Sequence, residues 1–448
     1  MMPNKSFNVK IKKKIFPFNK AIQVDSDKSI SIRSLLIGSV SEGTTTIDNI
    51  LESEDVKSTI KSLKKLGVKI FKRGKIYQVI GKGNGSFRAK KNTVLNFGNS
   101  GTLARLLIGL LSTNKNIMLN LTGDQSLKKR SMKKLILLMN KFGANFFPKK
   151  KYHLPLKIFS SNHPVGIKYN SGVSAQLKSA VILASLNSSG STTITEKERS
   201  RDHTEKMLIK NSSVIKVNDK KKRVITIFGK KNLKAGKIKV PGDPSSAAFF
   251  CALTILKKDS SLIIKNIGLN PTRIGFYKLL RRHGAKLKIK NTKKINNELL
   301  GDIHVKYSRL KPIKASKKYY VNSTDEYPIL FVLAALTRGT SIFRGIGDLV
   351  NKESNRISEM QRVLAQIGVK SISKKDELKI FGKELIEVNK KKITVKNLGD
   401  HRICMSSFVL SLLTGAQTKI KNFETVYTSS PSFLKIMRML GAKFEIQK

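Results

Sequence analysis

The sequence predicts an α/β chain made of six like units, packed as two domains of three units each. Three observations carry this. Five Gly residues, Gly67, Gly143, Gly284, Gly368 and Gly441, each close an apolar-periodic helix and precede an alternating strand. With one degenerate copy near residue 213 they recur about every 75 residues, a sixth of the chain, which is the signature of an internal repeat. Each is preceded by an apolar helix with a polar or small opening and then a short β-branched strand. At 448 residues, 40% of them hydrophobic, the chain also exceeds what one core holds, since single cores stop growing near ~250–300 residues.

Taken in order, Lys28-Ser29 opens the first apolar helix and Thr44–Ile47 reads as its strand; Val56–Ile70 follows as helix, Leu66-Gly67 stop and strand. Asn99-Ser100-Gly101 opens the second, with Ile117–Leu121 and then Met132–Phe147 around Phe142-Gly143. The third runs from Ser171–Gln176 through Thr192–Thr195 to His203–Val217, where Ser212-Ser213 stand in place of the Leu-Gly pair. Asp243–Ser246, Leu262–Ile264 and Ile274–Ile289 around His283-Gly284 make the fourth. Thr324-Asp325, Thr340–Ile342 and Ile357–Ile372 around Ile367-Gly368 make the fifth. Asp400-His401-Arg402, Thr418–Ile420 and Phe433–Ile446 around Leu440-Gly441 make the sixth. A unit thus reads helix, strand, helix, strand, with further strand between units, which implies βαβ crossovers and mixed sheets.

Composition narrows the function. Lys plus Arg number 88 against 29 Asp plus Glu, a formal charge of +59. Such a balance invites a nucleic-acid reading, because cations displace counterions from phosphate backbones. The distribution argues against it. Lys triplets recur along the whole chain (Lys12–Lys14, Lys149–Lys151, Lys220–Lys222, Lys390–Lys392), there is no Trp, and the 21 Phe and 9 Tyr mostly sit in apolar runs. A solvated Lys-rich surface is expected, with no specific nucleic-acid partner. The longest apolar stretch, Tyr327–Leu336, is half of the ~20 residues a membrane span needs. No apolar run follows Lys10 and Lys12–Lys14, so no secretory signal is expected. Cys251 and Cys404 cannot make a disulfide framework, which suits the cytoplasm, and six scattered His give no metal-ligand spacing. Neither a metal nor a cofactor is expected.

The helix openings carry the unusual polar residues. A helix N-terminus offers unpaired N–H groups and a partial positive charge, and so attracts anions. Ser29 and Arg33 are four apart and share a face, with Lys28 at the mouth. Gly101 lets a ligand approach the backbone. Ser29 and Ser100 also suit simple N-caps. Lys128-Lys129-Arg130 and Arg199–Thr204 read as openings of Gly-terminated-type helices, and Lys352 and Arg356 as one helix face with Glu353 three before Arg356. Several Lys and Arg, with Asp325 or Glu353 as proton carriers, fit transfer chemistry on phosphorylated or carboxylated small molecules.

These residues fall in nine segments: Asp27–Arg33 (DKSISIR), Asn99–Arg105 (NSGTLAR), Leu121–Arg130 (LTGDQSLKKR), Ser174–Ser179 (SAQLKS), Arg201–Leu208 (RDHTEKML), Val240–Phe249 (VPGDPSSAAF), Asp325-Glu326, Lys352–Arg356 (KESNR) and Asp400–Arg402 (DHR). In this order they resemble the 5-enolpyruvylshikimate-3-phosphate synthase (3-phosphoshikimate 1-carboxyvinyltransferase) family over nearly the full length. The resemblance implies an enolpyruvyl transferase-like α/β fold, two domains each of three βαβαββ units. It groups residues 1–24 with 240–448 as one domain and leaves 25–239 as an inserted one, with the active site in the cleft between them.

The implied reaction moves the enolpyruvyl group of phosphoenolpyruvate to the 5-hydroxyl of shikimate 3-phosphate by addition and elimination, on the way to chorismate and the aromatic amino acids. Carried over by matched position, Lys28, Ser29, Arg33, Ser174, Ala175, Gln176, Arg201, Asp325 and Lys352 would bind shikimate 3-phosphate. Lys28, Gly101, Arg130, Gln176, Arg356 and Arg402 would bind phosphoenolpyruvate. Asp325 would take the hydroxyl proton, and Glu353 or Lys28 would exchange the proton at the methylene carbon. A monomer acting without a membrane is expected, and sensitivity to glyphosate, an inhibitor typical of the family, because Gly101 leaves the phosphoenolpyruvate pocket unobstructed.

The sequence departs from the family pattern at Ile32 (often His), Ser131 (Pro), Asn355 (Asp), Thr428 (Lys in some members) and Ala175 (often Ser). None of these removes a proposed catalytic group. The rivals are the related transferase that acts on UDP-N-acetylglucosamine, which typically uses a loop Cys, and a non-catalytic basic RNA-binding protein. Against the first, Cys251 and Cys404 fall inside apolar helices; Cys404 points roughly 200° around the helix from Arg402, towards the core. RNA terminal-phosphate cyclases use related repeats, but no cyclase-type Gly-rich signature is present, and Gly81–Gly85 reads as a turn.

Overall fold

The computed structural model describes residues 6–219, 222–384, 392–396 and 398–447. Of the Lys triplets, Lys220, Lys221, Lys390 and Lys391 lie outside the described residues. The chain divides into two compact units. One comprises Met1–Asp25, Pro241–Lys294 and Leu299–Lys448, and the other Ser26–Val240 and Ile295–Glu298.

Among the described residues six four-stranded sheets form, three in each unit, all with the same internal order. The sheet Val94–Asn96, Met118–Thr122, Leu156–Phe159, Asn145–Phe147 shows the pattern: a parallel first pair, then two antiparallel pairings. A parallel pair requires a crossover, and the helix Gly101–Ser112 supplies it. The chain order here is βαβαββ, as it is again from Lys168 to Phe228. The remaining sheet of this unit closes on itself, because its parallel edge strand is Lys237–Lys239, paired with Thr46–Asp48 at the opposite end of the segment. In the other unit the N-terminal strands fill the corresponding gaps. Asn8–Ile11 lies between Gln417–Ile420 and Phe444–Gln447, and Asn19–Ile22 pairs in parallel with Ser261–Ile264.

Each unit centres on three helices that are buried nearly all round, including polar residues such as Ser31, Arg33 and Ser34 of Lys28–Ser39. Every residue of Tyr327–Ala335 is buried, as is all of Pro244–Ile255 within the helix Pro244–Leu256. In the same unit the Phe433 ring meets Phe249 and Phe408 at 6.4 and 5.3 Å between centroids. In the other unit, Gly109 of Gly101–Ser112 lies against the helix Ala175–Ser185, where a Cβ would stand 2.5 Å from the Ala180 carbonyl oxygen, so only Gly allows that approach. The peripheral helices are amphipathic instead, Glu54–Lys65 burying Val56, Thr59 and Leu63. Gly67, Gly143, Gly284, Gly368 and Gly441 all take positive φ between 77° and 96°, which stops their helices and turns the chain into the next strand.

Three local readings need correction. Ser29 is not a cap: Asp27 caps Lys28–Ser39, its Oδ1 accepting from Ile30 N at 2.8 Å, and Ser29 lies within the first turn. Lys128-Lys129-Arg130 does not open the Gly-terminated helix. Asp124 caps a short separate helix, Gln125–Lys128, and the Gly-terminated helix begins only at Lys133, leaving Arg130 between the two. Lys352 does not share a helix face with Arg356. It takes an extended conformation after the 3-10 turn Gly347–Asn351, and Asn355 caps the helix that starts at Arg356. Among the described residues no helix is long and apolar enough to cross a membrane.

Candidate active site

In the unit containing Ser26–Val240, the starts of the three central helices gather most of the expected groups. Lys28 pairs with Asp55 at 3.1 Å, Asp55 being in the first turn of Glu54–Lys65. Arg33 is buried. Its Nε donates to Thr204 Oγ1 at 2.9 Å, Nη2 to Ser179 Oγ at 3.1 Å and Nη1 to the Ser29 carbonyl at 3.0 Å. Ser29 and Arg33 therefore do share a face, and Thr204, in the helix His203–Leu208, brings the Arg201 loop to them. Arg201 itself stands two residues before that helix, half-buried. Ser174 caps Ala175–Ser185, with Ala175 as its first residue.

A second focus lies over Gly101. Ser100 caps this helix, so Gly101 presents its backbone in the first turn. Arg105 Nη1 donates to the Gly101 carbonyl at 3.1 Å and to Gln176 Oε1 at 3.0 Å, while Gln176 Nε2 donates to Thr102 Oγ1 at 3.0 Å. Arg130 Nη2 donates to Asn99 Oδ1 and to Ser126 Oγ. A Cβ on Gly101 would stand 2.7 Å from Arg105 Nη1 and 3.0 Å from Arg130 Nη1. Gly101, Arg130 and Gln176 are thus brought together, and Arg105 joins them. Its signal was in the sequence as the four-residue spacing from Gly101, which sets both on one helix face.

In the other unit a carboxylate cluster surrounds Arg356, whose side chain is 1% exposed. Its Nε donates to Asp400 Oδ2 at 2.9 Å and its Nη2 to Glu353 Oε2 at 2.6 Å; Asp325 Oδ1 lies 3.7 Å from Nη1. Burial alone would lower the guanidinium pKa, but Asp400 and Glu353 together raise it above its ordinary value, so Arg356 is held charged. Asp400 is fully buried and also caps His401–Thr414 by accepting from Arg402 N. Arg402 is buried too. Its Nη1 donates to the Ser245 carbonyl at 3.3 Å, its guanidinium lies 5.7 Å from the Phe249 ring, and its Nε has no hydrogen-bond partner among the described residues.

Lys352 has a different carboxylate partner from Arg356. Its ammonium meets Asp348 Oδ2 at 2.5 Å above the Tyr320 ring, and the Tyr320 hydroxyl donates to the same Asp348 oxygen. Burial, then Asp348, push the Tyr320 phenol well up. Sequence reasoning missed Asp55 and Asp400 as partners of Lys28 and Arg356, because these pairings span 27 and 44 residues and are set by tertiary packing; Asp348 was missed although it stands only four residues before Lys352. Cys251 and Cys404 are both fully buried, and burial pushes both thiols up, away from nucleophilic use.

A family model described as EPSP synthase (3-phosphoshikimate 1-carboxyvinyltransferase) matches residues 12–437. The 3-phosphoshikimate 1-carboxyvinyltransferase of Thermoanaerobacter sp. (strain X514) is 39% identical over 434 residues, covering 97% of this chain and 100% of the relative. That of Petrotoga mobilis is 39% identical over 426 residues, covering 94% and 97%. Among solved structures, EPSP synthase from Acinetobacter baumannii superposes with a TM-score of 0.85 at 33% identity, covering 99% of this chain and 100% of that one. The enolpyruvyl transferase NikO from Streptomyces tendae shares the fold at 13% identity, with a TM-score of 0.77 and 99% of each chain covered.

Proposed function

Because the chain belongs to the EPSP synthase (3-phosphoshikimate 1-carboxyvinyltransferase) family, we propose that the residues gathered at the helix starts of both units bind and convert the two substrates of that reaction. The chain is a transferase of the shikimate pathway: it moves the enolpyruvyl group of phosphoenolpyruvate onto the 5-hydroxyl of shikimate 3-phosphate and releases phosphate.

In this reading Ser29, Arg33, Ser174, Ala175, Gln176, Arg201 and Lys352 hold shikimate 3-phosphate, and Gly101, Arg130, Gln176, Arg356 and Arg402 hold phosphoenolpyruvate, with Lys28 reaching both. Arg105 is added as the group that orients Gln176. Asp325 accepts the proton of the 5-hydroxyl as its oxygen bonds to the enol carbon, while Glu353 or Lys28 delivers a proton to the methylene carbon. The tetrahedral intermediate then loses phosphate and that methyl proton, which restores the double bond. Fixed cations serve such a path because they are already in place when charge shifts towards the leaving phosphate. The chain is proposed to act in the cytoplasm as a monomer, without a nucleic-acid partner.

The observation that carries the assignment is the approach of Arg105 and Arg130 to within 2.7 and 3.0 Å of the point where a Gly101 Cβ would stand. Gly101→Ala is therefore expected to displace both guanidiniums. Charge-assisted hydrogen bonds contribute ~1.5–3 kcal/mol, so KM for phosphoenolpyruvate should rise about tenfold or more, with a smaller change for shikimate 3-phosphate. An unaltered KM for phosphoenolpyruvate would remove Gly101 from that pocket. The activity itself is tested by phosphate release, which should require both substrates together. Turnover with neither dependence, or none with both present, would overturn the reading.

A further inference from the structure

One buried feature of the Ser26–Val240 unit has no part in the chemistry above. Lys178, four residues after Ser174 on the same helix, has a fully buried ammonium between Glu196 and Glu205, at 2.9 and 2.7 Å. Arg223 closes the group, its Nε 2.9 Å from Glu196 Oε2 and its Nη2 3.7 Å from Glu205. Lys178, Glu196 and Glu205 thus sit in the interior, while Arg223 reaches from them to the exposed Asp219, 2.5 Å from its Nη1. Burying such groups is costly, and well-packed apolar side chains serve stability as well or better, so stability alone does not account for the arrangement.

Its second set of contacts points to what it does. Ser200 is held at every polar group. Its N–H and Oγ–H donate to Glu196 Oε1 at 3.2 and 2.7 Å, and its carbonyl accepts from Lys178 Nζ at 3.4 Å. On the other side Arg199 Nε and Nη2 donate to Asp202 Oδ2 at 3.2 and 2.6 Å, and Asp202 is buried. Arg201 is the residue between. Ser174 and Lys178 are one helical turn apart and share a face, so the ammonium that anchors Ser200 also fixes the rotation of the helix that carries Ser174, Ala175 and Gln176.

We propose that Lys178, Glu196, Glu205 and Ser200 form a positioning device that sets the Arg201 loop against the Ser174 helix start and thereby determines affinity for shikimate 3-phosphate. This rests on the reading that Arg201 and Ser174 bind that substrate. Fork contacts to an anion are sensitive to placement, and a loop whose flanking residues are pinned presents its Arg already in position.

The test uses the full chain and steady-state kinetics with each substrate varied. Arg201→Ala tests the underlying reading: KM for shikimate 3-phosphate should rise at least tenfold. Ser200→Ala, which removes one hydroxyl and no charge, should raise the same KM three- to tenfold, with kcat and KM for phosphoenolpyruvate within twofold. Ser200→Thr, which keeps the hydroxyl, should restore it. Lys178→Met should give a larger rise of the same KM; if it does not fold, Ser200→Ala decides alone. A normal KM in Arg201→Ala removes Arg201 from the site. A raised KM in Arg201→Ala beside a normal one in Ser200→Ala, or equal rises for both substrates in Ser200→Ala, overturns the positioning role and leaves the site reading standing.

Discussion

Asp325→Asn is expected to lower kcat by about 10²–10⁴-fold, the usual contribution of a positioned general base, while calorimetric binding of shikimate 3-phosphate changes little. Three carboxylates surround Arg356, and their surroundings separate their roles. Asp400 has no exposed surface and is committed three times, to Arg356, to the Ser354 hydroxyl and to the cap of His401–Thr414. Glu353 is drawn to 2.6 Å from the guanidinium. Asp325 stands farther off, at 3.7 Å, with 27% of its side chain exposed, just ahead of the buried helix Tyr327–Ala335. In the proposed reaction it is the carboxylate that would meet the hydroxyl, with Arg356 nearby. Asn preserves shape but accepts no proton at the rate needed, so the loss should appear in kcat. Phosphate release at unchanged rates would remove Asp325 from the role. A matched loss in Glu353→Gln alone, with Asp325→Asn active, would transfer the role to Glu353.

The parts of the fold legible in the sequence were those governed by local chemistry. Gly67, Gly143, Gly284, Gly368 and Gly441 can take a left-handed φ at no steric cost, and the apolar runs after Lys28, Gly101, Ala175, Pro244, Tyr327 and His401 can only be enclosed. Strand partners were another matter. Lys237–Lys239 joining Thr46–Asp48, or Asn8–Ile11 entering between two strands near the C-terminus, depends on pairings across hundreds of residues, which carry no local signal. The same division runs through the site. Ser29 with Arg33 followed from helical spacing. The cap at Asp27 in preference to Ser29, and the extended Lys352, turned on where a helix begins, which competing polar residues leave ambiguous by a turn. Lys178 stands as a charge within an apolar helix, yet its two ionic partners, Glu196 and Glu205, lie 18 and 27 residues away.

Arg356 joins structure and chemistry most tightly, and its replacement should be felt in both. Arg356→Leu leaves Asp400, with no exposed surface, facing an apolar side chain. Breaking a buried pair by removing one partner costs about 3–5 kcal/mol, because the remaining charge is uncompensated. For a unit of this size that corresponds to a fall in Tm of roughly 10 °C. Adding Asp400→Asn removes the stranded charge while keeping an oxygen to accept from Arg402 N, so the double variant should regain more than half of the lost stability. If Arg356 serves only the fold, activity should return with it. If it holds phosphoenolpyruvate, the refolded double variant should stay impaired by at least tenfold in kcat/KM for that substrate. Thermal melts and kinetics on the single and double variants separate the two. Recovery of activity in step with Tm would confine Arg356 to the scaffold and pass the substrate's charge to Arg130 and Arg402.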